Sequence, residues 1–144
     1  MNNKYEYIHE LWSNQIESLC KSPQHWMSFL KTSAWMYKLS FDDQLLIYAQ
    51  RPDARACASY ETWNDKLHRW IKRGSKGIAL LNDNGTLRYV FDISDTHSLE
   101  NKPLLLWSFN QANEKDFVEM IVDKYGPFEQ KLDYGLAVIL MSKT

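Results

Sequence analysis

The chain has 144 residues, 24% charged and 44% hydrophobic, with a formal net charge of −1. That balance excludes wholesale disorder, which goes with low hydrophobicity and high net charge. No apolar run reaches the roughly 20 residues of a bilayer-spanning helix, Met1 to Trp12 hold no apolar leader core, and Cys20 and Cys57 lack metal-ligand spacing, so no secretory signal and free thiols in the cytoplasm are expected.

Tyr5 to Cys20 places Ile8, Leu11, Trp12, Ile16 and Leu19 at spacings of three and four, the apolar stripe of an amphipathic helix. Ser22-Pro23 then offers an N-cap followed by proline at the first helical position. The spacing predicts a second helix over Pro23 to Lys38 that turns Trp26, Phe29, Leu30 and Tyr37 inward. Ser40 with Asp43 resembles a capping box for a third helix, which buries Leu45, Leu46 and Ala49 and stops before Arg51-Pro52. Asp42, Asp43, Gln44 and Gln50 read as a helix start and surface polarity.

Ser59 is a cap candidate for a fourth helix, whose stripe would be Tyr60, Trp63, Leu67 and Trp70, with Lys66, Arg69 and Lys72 pointing away. The period then changes from 3.6 to 2. Gly77 to Leu81 is a short apolar run, Asn84-Gly85 tolerates positive φ, and Thr86 to Ile93 alternates, with Leu87, Tyr89, Phe91 and Ile93 on one face. A further strand is expected over Leu104 to Phe109 and a helix capped by Asn113, carrying Phe117, Met120, Ile121 and Tyr125 and ended by Gly126-Pro127. Leu132 to Met141 starts a last apolar helix. The expected fold is α+β: N-terminal helices on a small antiparallel sheet with a central hairpin at about 77–93, then C-terminal helices. Residues 1–144 read as one domain, complete or the first of a longer protein.

Charge is unevenly distributed. Lys66 to Lys76 holds five Lys or Arg, no acid, and Trp70 in its middle. Arg51 to Leu80 carries seven Lys or Arg against three Asp or Glu, a local +4, so the remainder sums to −5. Single-stranded nucleic acid asks for cations along its phosphates and flat rings for its bases. Arg51, Arg55, Lys66, Arg69, Trp70, Lys72, Arg73 and Lys76 are therefore the candidate nucleic-acid-binding residues. Trp35, Tyr37 and Tyr48, beside Lys38 and Arg51, are further stacking candidates. Replacing Arg69, Lys72 and Arg73 by Ala is expected to weaken binding and leave the fold intact.

No nucleophile motif, phosphate loop, dinucleotide fingerprint or zinc spacing occurs. Asp92, Asp95, Thr96 and His97 read as turn and cap residues in preference to metal ligands. The expectation is a protein without catalytic residues, metal or cofactor. The competing readings are a protein-interaction module and an enzyme fragment using Asp92 and Asp95.

Three features, the Tyr60-x-x-Trp63 segment, the Arg73-Gly-Ser-Lys-Gly77 turn and the strand end Phe91-Asp92-Ile-Ser-Asp-Thr96, stand within a stretch from Trp26 to Thr96 that resembles the N-terminal domain of ArdC-type antirestriction proteins. The resemblance covers about half the chain. It implies an α+β domain that binds single-stranded DNA for a conjugative plasmid or integrative element; in that setting a protein-interaction module would dock a host defence protein or a partner encoded by the same element. Full-length antirestriction members add a metallopeptidase-like domain with a His-Glu-x-x-His motif. The four histidines here, at 9, 25, 68 and 97, form no such motif, so no peptidase activity carries over.

Overall fold

The structure, a computed structural model, describes residues 3–100, 102–106 and 111–127. The chain divides into two compact units, Met1–Leu104 and Leu105–Thr144. The first unit has α+β architecture, as the alternating periods imply. Its helices are α1 (Asn3–Lys21), α2 (Pro23–Ser33) and α3 (Phe41–Gln50). A three-stranded antiparallel sheet has the order β1 (Cys57–Ala58), β4 (Leu87–Asp92), β3 (Ile78–Leu81), and a separate pair joins β2 (Trp70–Ile71) to β5 (Thr96–His97).

The helix boundaries have local causes. The Ser22 hydroxyl accepts from the His25 N–H, and Pro23 opens α2 where its missing N–H costs nothing. That helix stops at Ser33 and passes into a 3₁₀ turn over Ala34–Met36, five residues short of the expected end at Lys38. The change of winding turns Tyr37 outward to 67% exposure, while Phe29 is buried as expected. The Ser40 hydroxyl accepts from the Asp43 N–H, but the Asp43 carboxylate pairs with Arg88 of β4 and does not return to Ser40. Half of the expected capping box forms.

Two apolar clusters hold the unit together. Ile8, Met36, Leu46, Ile47, Ile78, Leu80 and Val90 join α1, α3 and the hairpin, and Leu19, Phe29 and Leu45 join α1, α2 and α3. Gln50, read from sequence as surface polarity, closes the outer edge of the sheet. Its side-chain amide donates to the Ala79 carbonyl at 2.9 Å and accepts the Ala79 N–H at 3.0 Å, satisfying backbone groups that no further strand takes. The Gln44 amide likewise donates to the Met36 and Leu39 carbonyls.

The hairpin forms where Asn84-Gly85 places it, with Gly85 at φ +77 and Leu81 opposite Leu87. Its deep face differs from expectation. Val90 and Asp92 are buried and Tyr89 is 40% exposed. An interior aspartate inverts the polar-out reading of the alternation.

The fourth helix is also corrected. Ser59 does cap it, accepting from the Thr62 N–H, but residues 62–66 wind as a π turn closed by the Leu67 N–H on the Thr62 carbonyl. His68 then takes φ +51, which ends helical winding. Trp63 is buried and donates its indole N–H to the Phe91 carbonyl at 2.8 Å, whereas Tyr60 and Leu67 are exposed and Trp70 lies in β2. Lys66, Arg69 and Lys72 therefore do not share a helix face.

In the second unit α4 spans Gln111–Tyr125 and ends at Gly126, φ +89, as the Gly-Pro signal requires; it begins two residues before Asn113. The expected strand over Leu104 to Phe109 is absent from its described part, 104–106, and the remainder lies outside the described residues, as does the helix expected from Leu132.

Candidate nucleic-acid interface

Asp92 is the local organiser. It ends β4, caps the 3₁₀ turn Ile93–Asp95, and is 2% exposed. One carboxylate oxygen accepts the N–H groups of Arg55 (2.8 Å) and Ala56 (3.0 Å); the other accepts the N–H (3.0 Å) and hydroxyl (2.6 Å) of Ser94. Burial pushes this carboxyl up. The Ser94 hydroxyl and the three backbone donors outweigh it, and the group lies below the usual carboxylate range. The result is a fixed junction between the strap 51–56 and the turn 93–95.

Two of the eight candidate residues, Arg51 and Lys72, reach that turn, and a third, Arg69, reaches Thr96 just after it. Arg51 donates to the Asp95 carboxylate (3.0 Å) and the Ser94 hydroxyl (2.9 Å), with Asp53 at 3.5 Å. Arg69 donates to the Thr96 hydroxyl (2.7 Å) and to the carbonyls of Thr96 (3.4 Å) and Lys102 (3.2 Å). The Lys72 ammonium donates to the Ser94 carbonyl at 2.8 Å. The partners differ in a way that decides the electrostatics. Carboxylates neutralise Arg51, while Arg69 and Lys72 rest on neutral oxygens and keep their full positive charge.

Lys66, Arg73 and Lys76 are exposed, and among the described residues their side chains have no hydrogen-bond or ion-pair partner. Gly74 at φ +85 makes the turn that carries Arg73, and the Ser75 N–H closes it on the Lys72 carbonyl. Trp70 is half-buried in β2 opposite His97. Arg69 and Lys72 thus also brace the β2–β5 pair and the turn beside it. Substitution there removes structural bonds as well as charge, so the expectation of an undisturbed fold after changing Arg69, Lys72 and Arg73 is replaced by one that uses Lys66, Arg73 and Lys76.

The structure narrows the stacking candidates that sequence left open. Trp35, in the 3₁₀ turn after α2, is 38% exposed, and the Arg55 guanidinium lies 5.1 Å from its ring centroid. Tyr37 is exposed with the Lys38 ammonium at 5.7 Å, whereas Tyr48 packs edge-on against Phe29. Asp-x-Ser at 92–94 was the available signal for the junction, as an N-cap pattern. The approach of Arg55 to Trp35 joins residues twenty apart and has no local signal.

A concavity of about 640 Å³ lies between α1, the start of α3 and the hairpin. Asp42, Asp43 and Asp83 line it with Arg88, and Arg88 is paired to Asp43. Its net sign opposes phosphate. Among the described residues no cluster of His, Cys, Asp and Glu is suited to a metal ion, and no helix is long and apolar enough to cross a membrane. No family model, curated protein or solved structure matches the chain.

Proposed function

We propose that this chain is a non-enzymatic, cytoplasmic module that binds single-stranded DNA with little regard to sequence, in the service of a conjugative or integrative element. The observation that carries the reading is the segment Lys66–Lys76: five cations, none paired with a carboxylate among the described residues. The cations would take up successive phosphates and release counterions. The resemblance of the Tyr60-x-x-Trp63, Arg73–Gly77 and Phe91–Thr96 motifs to ArdC-type N-terminal domains supports the same ligand and the mobile-element context.

The test is fluorescence anisotropy with labelled single- and double-stranded oligonucleotides over a salt series. Lys66, Arg73 and Lys76 changed together to Ala should lower affinity and reduce the slope of log K against log salt by about 2, near 0.7 per lost phosphate contact. A folded triple variant with parental affinity and slope would remove the segment from the interface. Binding to neither form of DNA by the parent would favour the protein-interaction reading instead.

A further inference from the structure

We infer that Trp35 is the base-stacking platform of this interface, with Arg55 as the cation that accompanies the stacked base. The inference rests on the single-stranded-DNA reading and adds to it the place where bases, as distinct from phosphates, are held.

The argument begins with which rings are available. Among the described tryptophans Trp35 alone is exposed; Trp63 is sealed in the core and Trp12, Trp26 and Trp70 are half-buried. Tryptophan offers the largest π face, and base-on-ring contact is tolerant of sequence because every base has such a face. Position is the second point. Arg55 lies 5.1 Å from the Trp35 centroid and its backbone N–H is held by Asp92, whose other oxygen holds Ser94, whose carbonyl accepts from Lys72. The ring and the basic segment are therefore tied to one junction by four short links. Thr32, three residues before the ring, adds a fifth by donating its hydroxyl to the Pro52 carbonyl at 2.6 Å. Charge is the third. Arg55 is exposed and has no acidic partner among the described residues, so its charge is left uncompensated for a phosphate while it lies over the ring. Tyr89 is also exposed beside a cation, but that cation is Lys4 of α1 and not a residue of the junction.

Trp35→Leu should weaken binding to oligo(dT) about 5- to 150-fold, the range for losing one stacked base, with the salt slope unchanged because no phosphate contact is lost. A strand containing abasic spacers separates stacking from disturbed structure: the parent should prefer oligo(dT) to the spacer strand, and Trp35→Leu should lose that preference, with Trp35→Phe retaining part of it. Photocrosslinking of the unmodified protein to a 5-iododeoxyuridine oligonucleotide needs no variant and should label the peptide containing Trp35. Strong parental binding with Trp35→Leu equal to the parent, or labelling confined to other peptides, overturns the platform and leaves the DNA reading standing. A parent that binds no single strand at low salt overturns both.

Discussion

Asp92 shows how one buried carboxylate can set local structure. Asn in its place keeps one acceptor for the Arg55 and Ala56 N–H groups and turns an NH₂ toward Ser94, whose hydroxyl can rotate to accept but whose backbone N–H is left facing a donor. Asp92→Asn should cost about 2–4 kcal/mol in urea unfolding. The sign with pH follows from the depressed folded pKa. Stability from Asp92 is complete above the unfolded carboxyl value, near 3.9, and is lost as pH falls from there through the folded value. Urea midpoints between pH 7 and 3 should therefore decline less steeply in Asp92→Asn than in the parent. The same carboxylate affects Cys57. Burial first, then the Asp92 charge, pushes its thiol up to about 12, while Cys20 is exposed. At pH 8 a thiol reagent should modify Cys20 in the folded protein and reach Cys57 only on unfolding, because the thiolate is the nucleophile; equal rates would contradict the packing around Cys57. The sequence disclosed Asp92 as a turn residue, but not its burial, since its strap partners lie more than thirty residues away.

Elements with local signals were legible: α1 from its stripe, α2 from Ser22-Pro23, the stop of α3 from Arg51-Pro52, the hairpin from Asn84-Gly85. The segment after Ser59 was not, because the 3-4-3 spacing of Tyr60, Trp63, Leu67 and Trp70 suits an α-helix. What overrides it is tertiary: Trp63 is pinned to the Phe91 carbonyl, and β2 is drawn into pairing with β5. Five predicted site cations lie in that segment, so their positions could not be read from helix periodicity. Gln50 carries the next expectation. Gln50→Ala removes both bonds to Ala79 and should destabilise the fold by about 1–3 kcal/mol, measured by chemical denaturation. Gln50→Glu keeps the acceptor for the Ala79 N–H but sets a carboxylate against its carbonyl, and should be no better.

At the scale of the molecule, the first unit contains both apolar clusters, both sheets and all eight candidate residues. A chain ending at Leu104 should therefore fold cooperatively and keep the affinity of the full chain for single strands within about twofold, a difference well under 1 kcal/mol. Loss of the cooperative transition would show that the second unit contributes to the stability of the first. Charge separation at this scale was visible in the sequence as +4 over Arg51 to Leu80 against −5 elsewhere. Its division into neutralised Arg51, braced Arg69 and Lys72, and unpaired Lys66, Arg73 and Lys76 required the fold.

The contrast between Trp63 and Trp35 has an optical consequence. An indole enclosed by hydrocarbon emits toward the blue, and one touching water emits toward the red and meets dissolved iodide. Subtracting the emission of Trp35→Phe from that of the parent should leave a red-shifted, iodide-quenched component, which oligonucleotide would shield. Trp63 would meanwhile hold its blue emission until the core opens, so a single cuvette distinguishes an occupied surface from a melting interior.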